Sequence, residues 1–237
     1  MSGHSKWSTI KRQKESNDQK RGQVFTKLAG AITIAAKEGG GGDPETNFKL
    51  RLAVDKAKEA NMPKSNIDRA INRGLGKDGG SDWSRAVYEG FGPFGTSFLV
   101  EVLTDNRNRT SSALKNFFDK RGGNLAGPGA VAFQFDQRGR LIVAKQADSD
   151  SQSMKLIDLD IVDLKEEADS LVLLTVPEKL QQIKEGIESL GMTVKEADLI
   201  SLAKVKAELD SEKKEKVIKF IEDLEELEEV QQVFSNV

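Results

Sequence analysis

The sequence predicts an α+β multidomain fold: an N-terminal three-helix bundle and two ferredoxin-like α+β domains, the third domain being inserted in the second. Three observations predict it. Apolar residues recur every three or four positions before a glycine-rich stretch at residues 74–84, and often every two positions after it. A complete strand, helix, strand, strand, helix, strand pattern occupies residues 141–201. Incomplete patterns of the same kind precede and follow it, so together they predict one interrupted domain.

The predicted bundle follows a polar, basic arm. Residues 18–38 carry apolar side chains on one helical face, and a run of four glycines comes next. Asp43 and Pro44 predict the start of a second helix, as an N-cap followed by a proline at the first helical position. Pro63 predicts the start of a third helix, which ends at Gly74. Short connections between three helices indicate a small bundle.

The two α+β domains are predicted from alternating apolar runs. The strands of the interrupted domain are expected at residues 86–90, 97–104, 131–135, 204–209 and 230–235, and its helices at 109–121 and 211–226. The inserted domain begins with a predicted hairpin turn at residues 136–139. Its strands are expected at residues 141–144, 160–164, 171–176 and 193–201, and its helices at 151–157 and 177–190. The predicted domains are therefore residues 1–76, residues 82–135 with 204–237, and residues 136–203.

Charge is distributed unevenly along the chain. The first 77 residues carry sixteen Lys/Arg and eight Asp/Glu, a net charge of +8, whereas the whole chain carries −2. The remaining 160 residues therefore carry −10. A basic module joined to an acidic body is typical of proteins whose N-terminal part contacts DNA or RNA while the rest keeps the molecule in solution.

Composition argues against several classes of site. The chain has no cysteine and one histidine, His4, so disulfides and thiol catalysis are excluded and a histidine-based metal site is not expected. No apolar run approaches the roughly 20 residues that span a bilayer. The acidic segment at residues 222–229 is expected to be a solvated surface, and the glycine-rich stretches at residues 39–42 and 90–95 lack the features of a phosphate loop.

The basic arm supplies the first candidate nucleic-acid contacts. Residues 1–30 have a net charge of +5, and each cation that neutralises a phosphate adds affinity without reading sequence. The candidates are Lys6, Trp7, Lys11, Arg12, Lys14, Lys20 and Arg21. Trp7 has two possible roles: it would stack on an exposed base, worth about 1–3 kcal/mol, or pack onto the bundle.

A polar loop at residues 104–110 supplies the second set of candidates, Arg107, Asn108 and Arg109. This loop lies between a predicted buried strand and the start of a helix, where unpaired backbone N–H groups favour anions. The two arginines would add phosphate contacts. The alternative is a strand-to-helix turn whose arginines pair with the acidic C-terminal region.

Several motifs in this order resemble the YebC/PmpR family along essentially the whole chain. They are Gly3-His4-Ser5-Lys6-Trp7, Asn61-Met62-Pro63, Glu89-Gly90-Phe91-Gly92-Pro93, the loop 104–110, Gly122-Gly123-Asn124 and the ending Val230-Gln231-Gln232-Val233-Phe234-Ser235-Asn236. The chain departs from the usual pattern at Phe94, where relatives usually have glycine, and at Glu228 and Glu229, where they usually have two aspartates.

The resemblance implies a three-domain, non-enzymatic, cytoplasmic regulator of gene expression that binds DNA. For other members of the family it implies a different role, in which a ribosome-associated factor binds ribosomal RNA and assists elongation through proline-rich sequences. We expect a monomer whose partner is DNA or ribosomal RNA, with no cofactor, metal ion, membrane or small-molecule substrate.

Overall fold

The computed structural model describes residues 18–39, 41–77 and 83–237. Seven α-helices and eight strands lie in these ranges, and the strands form two four-stranded sheets. The described chain divides into two compact units, of which Phe135–Leu202 is one and the residues before and after it are the other. The mixed α+β class predicted from the sequence is therefore confirmed.

The elements alternate along the chain after the first three helices. The helices are α1 (Asp18–Glu38), α2 (Phe48–Glu59), α3 (Lys64–Gly74), α4 (Arg107–Lys120), α5 (Ser149–Ile157), α6 (Leu180–Ser189) and α7 (Ser211–Glu225). The strands are β1 (Ser84–Phe91), β2 (Ser97–Thr104), β3 (Asn124–Ala126), β4 (Phe135–Ala144), β5 (Asp163–Glu166), β6 (Ser170–Thr175), β7 (Val194–Ala203) and β8 (Val230–Ser235).

The first three helices form the predicted bundle in the first unit. Their inward faces share one core, in which Ile32 of α1 and Leu50 of α2 are fully buried and Ile67 of α3 is nearly so. Burying such a side chain contributes about 1.5–3 kcal/mol. The spacing of apolar residues by three and four therefore explains both why these segments are helical and how they pack.

The second helix begins after Asn47 instead of after the predicted cap at Asp43. Asn47 Oδ1 accepts a hydrogen bond from the backbone N–H of Leu50 at 3.0 Å. Its Nδ2 donates to the carbonyl oxygens of Ala35 at 2.7 Å and Gly41 at 2.9 Å. An asparagine can cap α2 and also donate to these two carbonyls, whereas an aspartate can only accept. The Asn47 side chain thus connects the start of α2 to the end of α1.

The rest of the first unit, which we call the host domain, contains a sheet of strand order β3-β1-β2-β8. Strands β1 and β2 form an antiparallel hairpin, and β8 pairs antiparallel with β2. Aromatic rings from β2, α4 and α7 fill the core on one face of the sheet. The Phe220 centroid lies 5.1 Å from those of Phe98 and Phe117 and 5.2 Å from that of Phe118.

Two of the predicted strands in the host domain are wrong. Residues 131–135 contain a 3-10 turn (Ala132–Gln134), and the third strand is the short β3 instead. The buried carboxylate of Glu89 explains the turn, because it accepts the backbone N–H groups that a sheet ladder would have used. Residues 204–209 form no strand either, and Val205 within them is 75% exposed.

The host sheet also departs from the expected ferredoxin-like arrangement. A ferredoxin-like domain begins with strand, helix, strand, whereas the host domain begins with the β1–β2 hairpin and adds β3 and β8 at opposite edges. The ferredoxin-like prediction depends on a strand-helix-strand pattern at residues 97–135 and a second one at residues 204–235, but residues 204–209 form no strand and β1 adds a strand before the first pattern. With only three residues, β3 is too short to show an apolar alternation.

The inserted domain, Phe135–Leu202, has the strand order β5-β6-β4-β7, with α5 and α6 in the two connections that cross between strands. This is the order of a ferredoxin-like domain. The hairpin turn predicted at residues 136–139 is wrong, because β4 runs straight through it and Gly139 pairs with Thr175. A Cβ on Gly139 would lie 2.6 Å from Thr175 Cγ2 and 3.0 Å from Leu180 Cδ1. Gly139 therefore marks a close approach between elements, not a turn.

The bundle packs against the host sheet through α1. A Cβ on Gly30 would lie 2.3 Å from Leu103 Cδ2 of β2, so only glycine allows the helix to come this close. One turn earlier on α1, the Lys27 ammonium donates a hydrogen bond to the carbonyl oxygen of Glu225, at the end of α7. These contacts hold α1 against the host sheet at the end of β2.

Candidate nucleic-acid interface

The structure describes only part of the predicted site. Lys6, Trp7, Lys11, Arg12 and Lys14 lie outside the described residues. The backbone of the next two candidates is part of α1, but the side chains of Lys20 and Arg21 are outside the description. The described part of the predicted site is therefore the loop that joins β2 to α4.

That loop is held by a network of short polar side chains. Thr104 and Thr110 are buried, and the Thr110 hydroxyl donates to Thr104 Oγ1 at 2.8 Å. The same Thr104 oxygen accepts the backbone N–H of Asn106 at 2.9 Å. Asn106 is the N-cap of α4, since its Oδ1 accepts the N–H of Arg109 at 3.1 Å. The loop is thus a fixed platform from which the side chains of residues 107–109 project into solvent.

Arg109 pairs with carboxylates of the protein, as in the alternative interpretation of the loop, in which its arginines pair with the acidic C-terminal region. Its Nη2 donates to Asp105 Oδ1 at 2.7 Å, and its Nε lies 3.7 Å from Glu229 Oε1. Glu229 belongs to the acidic C-terminal region that was expected to pair with an arginine of this loop. The charge of Arg109 is therefore balanced by two carboxylates within the protein, which leaves little of it for a phosphate.

Arg107 behaves differently, although it is only two residues away. Its guanidinium makes long contacts, 3.4 Å to Ser84 Oγ and 3.5 Å to the carbonyl oxygen of Arg85, and within the described ranges it forms no ion pair. Its own carbonyl oxygen accepts the Tyr88 hydroxyl at 3.0 Å. Burial raises the pKa of the Tyr88 phenol, and the positive charge of Arg107 opposes that rise. Arg107 thus has a positioned backbone and an available charge.

Asn108 is exposed on the first turn of α4, between these two arginines. No hydrogen bond of its side chain occurs in the part of the chain that the structure describes. Arg107 and Asn108 are therefore the two loop candidates that are free to bind a partner.

The structure adds two cations to those predicted from the sequence. Arg69 and Arg73 lie four residues apart on α3, so they project from the same side of the helix. Both are exposed, and neither has an ion pair or side-chain hydrogen bond among the residues that the structure describes. The spacing of the two arginines on the side of α3 opposite its apolar face is the signal in the sequence that could have identified them.

Arg69 and Arg73 line a cleft of about 520 Å³ between the bundle and the host domain. We call it the interdomain cleft. Its lining residues are Phe25, Thr26, Ala29, Gly30, Thr33, Met62, Asn66, Arg69, Ala70, Arg73, Trp83, Leu103, Asp105, Arg109, Glu228, Glu229 and Gln231. The cleft therefore combines cations from α3, an aromatic ring at the start of the host domain and carboxylates from two host-domain loops.

Two other kinds of site find no support in the described ranges. No cluster of three or more metal-ligating side chains occurs there. No helix within those ranges combines the length and the apolar character needed to cross a bilayer.

Known proteins match both parts of the chain. The pattern of the TACO1/YebC protein N-terminal domain matches residues 5–77, and that of the TACO1/YebC second and third domain matches residues 83–237. A "probable transcriptional regulatory protein" of Thermoanaerobacter pseudethanolicus is 46% identical over 223 residues, which cover 92% of this chain and 90% of that protein. A protein of Pelotomaculum thermopropionicum with the same name is 40% identical, over 100% of this chain and 98% of its own length.

A solved structure has the same fold. The crystal structure of a conserved hypothetical protein from Aquifex aeolicus matches with a TM-score of 0.84 and 38% sequence identity, over 94% of each chain. Sequence motifs, domain patterns and fold all agree, and the chain therefore belongs to the YebC/PmpR family.

Proposed function

We propose that this protein is a regulator of gene expression that binds DNA through the bundle and the adjoining β2–α4 loop. The observation that carries the proposal is the set of three exposed arginines, Arg69, Arg73 and Arg107, none of which forms an ion pair within the described ranges. The relatives named as transcriptional regulators support the regulatory role.

The physical argument rests on how a polyanion is held. A guanidinium that is already paired inside the protein gains little from a phosphate, whereas a free one releases counterions when it binds. Arg109 is of the first kind, and the three free arginines are of the second. The basic arm at residues 1–17 would add further phosphate contacts. Such contacts give affinity with modest sequence specificity.

We further propose that the protein acts by binding and not by catalysis, as a cytoplasmic monomer with three domains at residues 1–76, 82–135 with 204–237, and 136–203. The names of the relatives support a regulator, and the two contrasting arginines of the β2–α4 loop serve recognition in this proposal. The inserted domain would then contribute to the choice of partner.

The salt dependence of duplex DNA binding tests the proposal. The variant Arg69→Gln/Arg73→Gln/Arg107→Gln should bind more weakly, and the slope of log K against log salt should flatten by up to about 0.9 for each phosphate that the variant no longer neutralises. A matched control removes the same charge elsewhere in the first unit, at the exposed Lys49, Lys115 and Lys120.

The two triple variants must differ if the proposal is right. We expect the control to keep most of the wild-type slope, since its cations lie away from the interdomain cleft and the β2–α4 loop. An equal decrease in both variants would mean that only net charge matters and that the three arginines form no site. Absence of binding by the wild-type protein at low salt would refute the proposed function itself.

A further inference from the structure

The interdomain cleft has features that duplex binding does not use. Trp83, at the start of the host domain, is half-buried in its lining, and Glu228, in the turn before β8, is exposed. The Glu228 carboxylate forms no ion pair or hydrogen bond in the described ranges. Asp105 and Glu229, the other two carboxylates of the cleft, are engaged by Arg109. One carboxylate in the cleft is thus available to a ligand.

The surface between these polar groups is formed largely by small and apolar side chains. Ala29 and Gly30 of α1, Ala70 of α3 and Leu103 of β2 line it. Thr33 adds no free polar group, because its hydroxyl lies within donating distance of the carbonyl oxygens of Ala29 at 2.8 Å and Ala70 at 3.1 Å. A cleft that combines apolar surface with convergent polar groups is the usual form of a small-molecule site, and about 520 Å³ is in the usual range.

The available groups match the parts of a nucleotide. Two neighbouring guanidinium groups on α3 suit a phosphate, which accepts several hydrogen bonds. An indole ring suits the face of a base. A carboxylate accepts hydrogen bonds from the amino group of cytosine, adenine or guanine. A base in a duplex cannot reach such a cleft, because its face is stacked and its edge is paired.

We propose that the interdomain cleft binds one unpaired nucleotide of a single strand. The phosphate contacts Arg69 and Arg73, the base stacks on Trp83, and an amino group of the base donates to Glu228. This inference rests on the proposed nucleic-acid binding and narrows it, since it adds an unpaired base to phosphate contacts that any nucleic acid can make.

Glu228 gives the cleft a base preference that can be measured. Cytosine presents an amino group at the position where uracil presents a carbonyl oxygen, and the two bases are otherwise alike in size. A carboxylate accepts from the amino group and repels the carbonyl oxygen, so oligocytidine should bind about tenfold more tightly than oligouridine. A glutamine at the same position can donate to the carbonyl oxygen and accept from the amino group, so it should remove the preference.

Trp83 reports directly on the stacked base. The chain has two tryptophans, so the substitution Trp7→Phe leaves Trp83 as the only indole. In that background we would titrate single-stranded oligocytidine and oligouridine, each as RNA and as DNA, and record the indole fluorescence. We expect quenching on binding, and a preference for cytidine that falls to about one in Glu228→Gln. The matched control is Glu226→Gln, an exposed acidic neighbour that does not line the cleft.

The outcomes separate this inference from the proposed function. If the strands bind without quenching Trp83, or bind with equal affinity for cytidine and uridine, the cleft inference is refuted and phosphate binding stands. If Glu226→Gln abolishes the preference as completely as Glu228→Gln, the inference also fails, since charge alone would then explain it. If no strand and no duplex binds, both proposals fail together. Quenching with a preference that only Glu228→Gln removes supports the inference, and the RNA and DNA titrations show which strand is preferred.

Discussion

Replacing Glu89 by glutamine should loosen the loop between β3 and β4. Glu89 Oε2 accepts the backbone N–H groups of Val131 at 2.7 Å and Ala132 at 2.8 Å, and its Oε1 accepts that of Gly129 at 2.6 Å. Glu89 as a whole is only 8% exposed, so water cannot replace these bonds readily. Glutamine keeps one oxygen and turns its NH₂ group toward at least one N–H donor. Losing one such charge-assisted bond and leaving its donor unsatisfied costs about 2–4 kcal/mol.

The pH dependence has a definite sign. Burial of Glu89 raises the pKa of its carboxyl group, but the hydrogen bonds from Val131, Gly129 and Ala132 lower it by more, so the net shift is downward. A carboxyl group with a lowered pKa stabilises the folded protein fully above its unfolded pKa, about 4.3 for glutamate. That contribution disappears as the pH falls through the folded pKa. The difference between wild type and Glu89→Gln should therefore be largest near neutral pH and shrink in acid.

Hydrogen exchange measures this effect locally, which suits a chain of two compact units better than a global melting curve. A loss of about 2 kcal/mol corresponds to roughly thirtyfold faster exchange of the amides at residues 129–134. The control is Glu101→Gln, which removes a carboxylate bound by the partly exposed Arg85 and should change those amides little. Equal acceleration in both variants, or an effect of Glu89→Gln that persists unchanged in acid, would refute the reasoning.

Asn47→Ala should lower the stability of the bundle by about 2–3 kcal/mol, because it removes the α2 cap and two donated bonds. Denaturant unfolding would show it, and Asn47→Asp should recover only the part due to the cap. Phe94 has a φ of 61°, which asparagine tolerates and a β-branched residue does not. We therefore expect thermal stability to fall in the order Asn, Phe, Val at this position, and a most stable valine variant would contradict the strain. Gly30→Ala should weaken the packing of α1 on β2, and Leu103→Ala should relieve part of that destabilisation with a coupling of about 1 kcal/mol in a double-mutant cycle. Additive effects would show that the two residues do not clash.

The helices of this protein were predictable because each has a local cause. The apolar spacing over Leu180, Ile183 and Ile187 is sufficient to predict α6, and all three side chains are buried. The strand predicted at residues 131–135 is wrong because a side chain from elsewhere in the chain satisfies its backbone. Glu89 holds the N–H groups of a segment that lies 40 residues later and alternates like a strand. No pattern within that segment indicates such a partner.

The site shows the same contrast between local and distant causes. The loop at residues 104–110 was predictable as a polar platform, but its two arginines are equivalent in sequence. Arg109 is paired because Glu229, far away in the chain, lies beside it, while Arg107 faces solvent. The cleft was not predictable at all, because Trp83, Arg73 and Glu228 come together only when α1 packs on the host sheet.

The pairing of β8 with β2 has a consequence for synthesis of the chain on the ribosome. Strand β2 is released early, but its partner begins at Val230, near the C-terminus. Until then one edge of the hairpin carries unpaired N–H and C=O groups, the kind of edge that pairs with other chains. The inserted domain is continuous in sequence, so it can complete its own sheet first.

Pairing of β8 with β2 then depends on the distance between the two points where the inserted domain joins the host domain. They meet directly, since the N–H of Lys204 donates to the carbonyl oxygen of Gln134 at 2.8 Å, and the Lys204 ammonium donates to that of Phe133 at 2.9 Å. The chain therefore leaves and re-enters the host domain at nearly the same place. Once the inserted domain has folded, closing the host sheet costs the entropy of a short loop instead of that of the whole insertion. Strand β8 can therefore pair with the open edge of β2 soon after it leaves the ribosome.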